Sequence, residues 1–185
     1  MPILSEEVSL YPEGLLNGMQ DEPSDRRWWV LHAKPRQEKA ISRNLLAHEI
    51  PFYLPLVKKR SCIRGRRVTA NVPVFSGYMF LYGSEDERGS SLTTNRIVRV
   101  LEVHDPERLR TDLTQLQRLI ASEAPLTLEA RLAPGRRVRV RLGPFAEMEG
   151  TVVMRQGRTR LIVAVNFLQQ GASVEVDDFM VDPID

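Results

Sequence analysis

The stretch RVRVRLGPFAEMEGTVV, residues 137–153, begins as a strict alternation of arginine and valine and breaks at Gly143-Pro144. Such an alternation predicts a strand that turns its valines to a buried face and its arginines to solvent. Gly143-Pro144 predicts a turn, and Gly150 predicts a tight return at a point where a side chain would crowd the chain. The loop between them carries two apolar residues, Phe145 and Met148, and apolar residues in a turn require an explanation.

Short strands continue after this stretch and are separated by turn residues. Five strands fit into about fifty residues, which is typical of a small, partly open barrel. Their many valines, together with Ile162, favour strand over helix, so we expect a permanent barrel. The predicted strands are Arg137–Leu142, Thr151–Met154, Leu161–Val165, Ser173–Val176 and a last segment near Met180–Val181.

The charge of the chain is unevenly distributed. The 185 residues carry a formal net charge of +2. Residues 26–105 hold 15 Lys and Arg against 7 Asp and Glu, which leaves this segment with an excess of 8 positive charges. Such an excess favours a polyanionic partner, with a merely well-solvated surface as the alternative.

Composition also restricts the class of protein. The single cysteine, Cys62, excludes an internal disulfide and a Cys-rich zinc site, which fits a reducing cytoplasm. Apolar runs are too short to span a bilayer, and Met1–Asp25 does not resemble a signal peptide. We therefore expect neither a membrane partner nor secretion.

The chain upstream of the barrel predicts one α+β unit. Trp28–Leu31 predicts the first strand, and Pro35 begins a helix that should end near His48–Ile50. Further strands follow, with a basic hairpin that turns at Gly65, and a last helix starts at Asp105-Pro106. This order predicts a sheet with two helices packed on it. We assign residues 1–25 to an acidic, mobile tail, 26–124 to the α+β domain, 125–133 to a linker and 134–185 to the barrel.

No catalytic constellation is visible in the sequence. The three histidines, His32, His48 and His104, lie on three different predicted elements. No glycine-rich phosphate loop of standard spacing is present, and Cys62 has no predicted base or oxyanion site beside it. We therefore expect no enzymatic activity, no cofactor and no metal.

Two segments resemble known motifs. The barrel residues Gly135–Val140, Gly143–Ala146, Gly150–Val153 and Val163–Val165 look like a KOW motif. Upstream, Trp28–Val30, the Pro51–Leu56 region and Pro73–Phe80 resemble the NGN domain of the NusG family. The resemblance covers roughly residues 26–183. It implies an NGN-like α/β sandwich, with an antiparallel sheet and flanking helices, followed by an SH3-like β-barrel. The Lys34–Lys39 turn and the short basic hairpin look most like the specialised RfaH-like and polysaccharide-operon antiterminators.

The resemblance implies a transcription elongation and antitermination factor in the bacterial cytoplasm, associated with the nucleoid. Its NGN domain would hold RNA polymerase in the closed, processive state by contacting the clamp helices of the large subunit and the gate loop. The implied clamp contacts are Tyr53, Leu54, Phe75 and Tyr78, with a core position as the alternative for Phe75 and Tyr78. The implied gate-loop contacts are Thr93, Thr94 and Asn95, which would equally suit a helix-capping turn.

The remaining expectations concern nucleic acid and a second protein. The basic hairpin would contact phosphates of upstream or non-template DNA through Lys58, Lys59, Arg60, Arg64, Arg66 and Arg67. The KOW domain would recruit a ribosomal small-subunit protein or Rho through Phe145, Met148, Phe167 and Leu168, with a core position as the alternative. Gln169-Gln170 replaces the Gly-Arg pair of the housekeeping protein. We expect a monomer, and the alternative function is an RNA-binding or ribosome-associated KOW protein.

Overall fold

The structure of the protein is a computed structural model that describes residues 6–18 and 22–184. It confirms the predicted α+β class with a β-rich C-terminal region. By compactness the chain divides into two units, Met1–Pro106 and Glu107–Asp185. Each unit contains its own antiparallel sheet.

The first unit is built on a five-stranded sheet. Consecutive residues of a strand point to opposite faces, so the burial of Trp28, Trp29, Val30 and Leu31 means that both faces are covered. Its elements are β1 (Leu10–Tyr11), β2 (Arg27–Ala33), α1 (Glu38–Ala47), β3 (Phe52–Tyr53), β4 (Leu56–Ile63), β5 (Arg66–Pro73), β6 (Tyr78–Gly83), α2 (Glu85–Leu92) and β7 (Ile97–Glu102). The sheet order is β1-β3-β6-β2-β7, and β4 and β5 form a separate two-stranded ribbon.

The helices of this unit follow local sequence signals. α1 begins at Glu38 rather than at Pro35, because Arg36 has a φ of 63° and cannot continue a helical turn. It packs on one face of the sheet, where Ile41 and Leu45 join the buried cluster. α2 was not predicted, although Ser84 caps it in a capping box of the kind that the sequence Ser-x-x-Glu signals.

The structure corrects the prediction of a mobile tail. β1 pairs with β3 through Leu10↔Tyr53 and Tyr11↔Phe52. Leu15 and Leu16 are only 2% and 3% exposed. These contacts are made by a few apolar residues that follow no repeating pattern. Neither periodicity nor the acidic composition of the segment therefore indicated that it is folded. Residues 1–5 and 19–21 lie outside the described part of the chain.

The second unit is built on a six-stranded antiparallel sheet. Its elements are α3 (Pro106–Ala121), β8 (Thr127–Glu129), β9 (Arg136–Val140), β10 (Glu149–Arg155), β11 (Arg158–Val165), β12 (Gln170–Glu175) and β13 (Val181–Pro183). The sheet order is β13-β9-β10-β11-β12-β8. The predicted alternation is confirmed in β9, where Val138 and Val140 are buried while Arg137 and Arg139 are exposed. α3 starts at the last residue of the first unit and otherwise belongs to the second.

The predicted linker contributes a strand to this sheet, which corrects the boundary set for residues 125–133. β8 pairs with β12, and Glu129 lies opposite Gly171. The Glu129 side chain is 6% exposed. It accepts hydrogen bonds from the Ser173 hydroxyl at 2.6 Å and from Arg155 Nη1 at 2.7 Å. A buried carboxylate needs such partners. These hydrogen bonds hold the segment in the sheet, whereas the sequence predicted a linker.

Candidate functional site

The predicted basic hairpin forms the ribbon of β4 and β5 and contains the predicted nucleic-acid-binding residues. Its strands stay in register from Leu56↔Pro73 to Ile63↔Arg66. The two turn residues, Arg64 and Gly65, have φ angles of 49° and 76°, as type I′ hairpin turns require. Every residue from 58 to 70 is exposed, so the charges of the ribbon lie in solvent.

The ribbon distributes its charges over two chemically different faces. Residues directly opposite each other in an antiparallel pair share a face, and the register therefore assigns each charge. The polar face carries Lys58, Arg60 and Arg67, together with Cys62, Thr69 and Asn71. The mixed face carries Lys59 and Arg66, together with Ile63, which is 56% exposed, and Val68, which is 38% exposed. A polyanion bound along the polar face would meet three cations at once.

Three of the four predicted clamp contacts are buried, which corrects the expectation of an exposed apolar surface. Tyr53 is 2% exposed, and Leu54 and Phe75 are fully buried. Phe75 is a core residue, because its ring meets Phe80 edge-on at 6.0 Å. Tyr53 is covered because Leu10 of β1 lies directly opposite it, and Leu54 belongs to the buried cluster that contains Ile41 and Leu45 of α1.

Burial also changes the chemistry of one of these residues. It raises the pKa of the Tyr53 hydroxyl above its ordinary value of 10.0, because the ionised form would lose its hydration.

The fourth predicted clamp contact, Tyr78, is half-buried. Its ring stacks on His32 at a centroid distance of 4.8 Å, with 13° between the planes. Of the four, only Tyr78 offers part of its side chain to a partner in this arrangement.

The predicted gate-loop residues form the turn that follows α2. The hydroxyls of Thr93 and Thr94 donate to the carbonyls of Ser90 and Ser91 at 2.7 Å and 2.9 Å. Asn95 has a φ of 56° and accepts a hydrogen bond from Lys34 Nζ at 3.1 Å. The two threonine hydroxyls therefore cap the end of α2. Thr93 and Asn95 are nevertheless exposed, so the turn is accessible.

The first predicted KOW contact loop does not form an exposed patch. Phe145 is 8% exposed and Met148 is 1% exposed, which corrects that expectation. The loop folds back on the strand before it, because Val140 N–H donates to Met148 O and Glu147 N–H donates to Val140 O, both at 2.8 Å. The two apolar side chains therefore fill the interior of the loop. In the second predicted loop, Phe167 is 37% exposed and Leu168 is half-buried.

α3 lies over both of these loops within the second unit. Gln115 Oε1 accepts from the Glu149 N–H at 2.7 Å, and Arg118 Nη2 donates to Ala146 O at 3.0 Å. Asp112 Oδ2 accepts from the Asn166 N–H at 2.9 Å. The sequence contained a signal for this contact, since Asp112 falls on the leucine stripe of α3, and an acid on an apolar stripe needs a partner.

A cleft on the second unit has a volume of about 800 Å³. Three arginines enter it, but Arg158 pairs with Glu175 at 2.8 Å and Arg155 pairs with Glu129 at 2.7 Å. Intramolecular carboxylates thus compensate two of the three charges. The lining residues are Thr127, Arg155, Gln156, Arg158, Arg160 and Glu175.

The structure does not bring the candidate reactive residues together. His32 stacks on Tyr78, His48 Nδ1 lies 2.8 Å from Asn44 O, and Cys62 is exposed on the ribbon. Within residues 6–18 and 22–184, no three His, Cys, Asp or Glu side chains are grouped to hold a metal ion. In the same described ranges, no helix is long and apolar enough to cross a membrane.

Comparison with known families identifies the first unit. Residues 26–117 match the NusG family model, described as transcription termination factor nusG. The match contains β2 to β7 and ends within α3, and it leaves out β1. No curated protein matches the chain significantly in sequence.

Proposed function

The chain belongs to the NusG family of non-enzymatic transcription factors, and from this we propose that it is an elongation and antitermination factor that binds RNA polymerase. The observation that carries the proposal is the family match over residues 26–117, which contains the ribbon and the turn after α2. In this proposal residues 26–124 act as the polymerase-binding NGN domain. They contact the clamp helices on one side of the cleft and the gate loop on the other. A factor that binds only the closed clamp shifts the polymerase toward its processive state and opposes pausing and termination.

The exposed groups divide into three proposed contacts. Tyr78 offers its half-buried ring to the clamp helices, and the exposed Thr93 and Asn95 offer polar groups to the gate loop. The ribbon extends toward upstream or non-template DNA, where its cations contact phosphates without reading bases, because the tip carries no aromatic side chain. These contacts require neither a cofactor nor catalysis, and we propose that the protein acts as a monomer in the cytoplasm, at the nucleoid.

The C-terminal KOW domain, residues 134–185, would recruit a second protein. We propose Phe167 and Leu168 as its contacts, since Phe167 is exposed and an apolar side chain on a small domain suits a binding surface. Phe145 and Met148 support the neighbouring loop from inside. The proposed partner is a ribosomal small-subunit protein or Rho. The chain would belong to the specialised, RfaH-like branch of the family.

A transcription assay across an intrinsic terminator tests the proposed function. Purified polymerase elongates on the same template with and without the protein, and read-through and pause lifetimes are measured. We expect more read-through and shorter pauses. The control is a variant with Thr93→Ala and Asn95→Ala, which should bind but suppress pausing less. Unchanged read-through and pausing with the wild-type protein would refute the proposal.

The ribbon fits a second function equally well, because RNA phosphates would bind it as DNA phosphates do. An RNA-binding or ribosome-associated KOW protein is therefore the rival. A binding assay with polymerase and with structured RNA separates the two functions. Tight RNA binding without polymerase binding favours the rival.

A further inference from the structure

The cleft on the second unit lies against one face of its sheet. Arg155 lies directly opposite Arg158 at the end of the β10–β11 hairpin, and Arg160 lies directly opposite Glu175 of β12. Residues directly opposite each other share a face, and so do Arg158 and Arg160, which alternate with one residue between them. The face that lines the cleft therefore presents three guanidinium groups and one carboxylate.

Arg160 is held in place by neutral acceptors. Its Nε donates to the Ser173 hydroxyl at 3.0 Å, and its Nη2 donates to Ser173 O at 2.9 Å and to the Thr127 hydroxyl at 3.0 Å. No residue in the described part of the chain accepts a hydrogen bond from its Nη1, so the two N–H groups of that nitrogen are available. An arginine that is already fixed in this way loses little further conformational entropy when it binds an anion.

The buried carboxylate of Glu129 does not compensate both of its arginine neighbours. It accepts a hydrogen bond from Arg155 Nη1 at 2.7 Å, and the two groups form an ion pair. Arg160 reaches the same carboxylate oxygen only through the Ser173 hydroxyl, which accepts from Arg160 Nε and donates to Glu129 at 2.6 Å. One carboxylate thus serves two guanidinium groups, so this part of the cleft keeps an excess of positive charge.

The third arginine of the cleft is able to exchange its partner. Arg158 pairs with Glu175 at 2.8 Å, and the two side chains are 68% and 50% exposed. An ion pair at this exposure contributes little to stability, because water screens its charges. Arg158 also lies directly opposite Arg155, a position in which like charges destabilise a sheet. An anion bound between these two arginines would reduce their repulsion and would compete with Glu175 for Arg158.

The donors of the cleft fit a terminal phosphate group better than a carboxylate. Arg158 and Arg160 supply guanidinium N–H groups, and the Thr127 hydroxyl and the Gln156 amide are further donors among the lining residues. A carboxylate has only two acceptor oxygens, whereas a terminal phosphate has three and matches the planar fork of arginine. The volume of about 800 Å³ lies within the usual range of small-molecule pockets, so a nucleotide attached to the phosphate also fits.

We propose that this cleft is a binding site for a terminal phosphate group, carried either by a free nucleotide or by the 5′ end of an RNA strand. Arg160 supplies fixed donors, and Arg158 leaves Glu175 to contact the same phosphate. None of the six lining residues is aromatic, so the base is not stacked and its identity matters little. The site belongs to the second unit, and it depends neither on polymerase binding nor on the basic ribbon.

Two full-length variants with opposite effects on the cleft test this inference. Gln156→Glu places a negative charge among the lining residues and should weaken phosphate binding about tenfold. Glu175→Gln removes the carboxylate that competes for Arg158 and should strengthen phosphate binding about fivefold. Both positions are exposed, so we expect both variants to fold.

Each variant has a matched control on the second unit. Gln169→Glu is the control for Gln156→Glu, because both residues are exposed glutamines with a φ of 52° and Gln169 does not line the cleft. Asp182→Asn is the control for Glu175→Gln, because Asp182 is an exposed acid that pairs with Arg141 outside the cleft. The controls change the net charge of the chain equally, and we expect wild-type binding for both.

Binding is measured by NMR at the side-chain Nε–H signal of Arg160, which reports this site separately from any binding at the ribbon. The probes are uridine 5′-monophosphate, a short single-stranded RNA with a 5′-phosphate, the same RNA with a 5′-hydroxyl, and a glutamate-rich peptide. We expect both phosphorylated probes to shift the signal, and the hydroxyl RNA to bind about tenfold more weakly than the phosphorylated RNA.

The relative affinities identify the source of the phosphate. Equal affinity for the nucleotide and the phosphorylated RNA supports the inference with a free nucleotide as the ligand, and tighter binding of the phosphorylated RNA supports it with an RNA end. Equal affinity for the two RNAs would overturn the inference, because the terminal phosphate would then contribute nothing. Tighter binding of the peptide, equal binding by all variants, or an Arg160 signal that no probe shifts would overturn it as well.

Discussion

The buried carboxylate of Asp112 accepts two hydrogen bonds from Asn166, from the backbone N–H at 2.9 Å and from the side-chain amide at 3.1 Å. Its other oxygen accepts from Arg108 Nε at 3.1 Å. Asp112 is 3% exposed, and a carboxylate removed from water in this way must keep its partners. The pair therefore joins α3 to the loop that follows β11.

Replacement of Asp112 by alanine should destabilise the second unit. The substitution leaves the donors of Asn166 without an acceptor, which costs about 1–3 kcal/mol. Denaturation by urea, followed by circular dichroism, measures the loss as a lower midpoint at an unchanged slope. Asp177→Ala changes an exposed acid and is the control, for which we expect a wild-type midpoint. A wild-type midpoint for Asp112→Ala would show that the pair contributes nothing to stability.

Tyr53 should make the stability of the first unit fall at alkaline pH. Its burial raises the pKa of the hydroxyl above 10.0 in the folded chain, whereas the unfolded chain ionises near the ordinary value. The contribution of the protonated Tyr53 to the free energy of unfolding is therefore fully present below about pH 10. It is lost as the pH rises above that value, by up to about 1.4 kcal/mol per pH unit. Tyr53→Phe should remove this part of the slope.

The free energy of unfolding of both proteins, measured from about pH 7 to about pH 12, tests that expectation. The difference between the two proteins at neutral pH reports the loss of the neutral hydroxyl and serves as the internal reference. The difference should shrink or change sign above about pH 10. Parallel curves over the whole range would mean that Tyr53 ionises equally well in the folded chain.

Local patterns predicted the second unit well. The alternation around Val138 and Val140 indicates a strand with one buried face. This pattern can be recognised from residues that are adjacent in the sequence. The same reasoning failed for Phe145 and Met148. Their burial depends on the loop folding back on β9, which no local period reveals.

Contacts between distant residues explain the remaining differences. The strand β1, the strand β8 and the helix α3 are held by contacts between residues far apart in the chain, such as Ser9 with Leu54 and Glu129 with Ser173. The two residues of these pairs lie 45 and 44 positions apart in the chain. Secondary-structure propensity contains no information about contacts over such distances. The edge beside β3 is occupied by β1, a segment that composition assigned to a tail.

Gly150 should tolerate no side chain. A Cβ atom there would lie 2.4 Å from the carbonyl oxygen of Ile162, which is backbone and cannot rotate away. Gly150→Ala should therefore separate β10 from β11 and cost about 3 kcal/mol or more, at the upper end of overpacking effects. Gly89→Ala is the control, because it lies in α2 with nothing within 4 Å of its Cβ position, and it should stabilise by about 0.5–1 kcal/mol. Thermal unfolding that ranks the two variants in the opposite order would contradict the close approach.

The two faces of the ribbon should contribute differently to nucleic-acid binding. The polar-face variant carries Lys58→Gln, Arg60→Gln and Arg67→Gln, and the mixed-face variant carries Lys59→Gln and Arg66→Gln. If DNA lies along the polar face, the first variant should reduce the slope of log K against log salt by about 2.7, which is about 0.9 for each lost phosphate contact. The mixed-face variant should change the slope by much less and is the matched control.

Titration of a labelled duplex of arbitrary sequence at several salt concentrations measures both slopes. The loss should be independent of sequence, because phosphate contacts position a protein without reading bases. A sequence-dependent loss would mean that Arg60 or Arg67 reaches a base edge in a groove, where arginine discriminates between bases. Unchanged slopes for both variants would mean that the ribbon does not contact the duplex, whatever its charge.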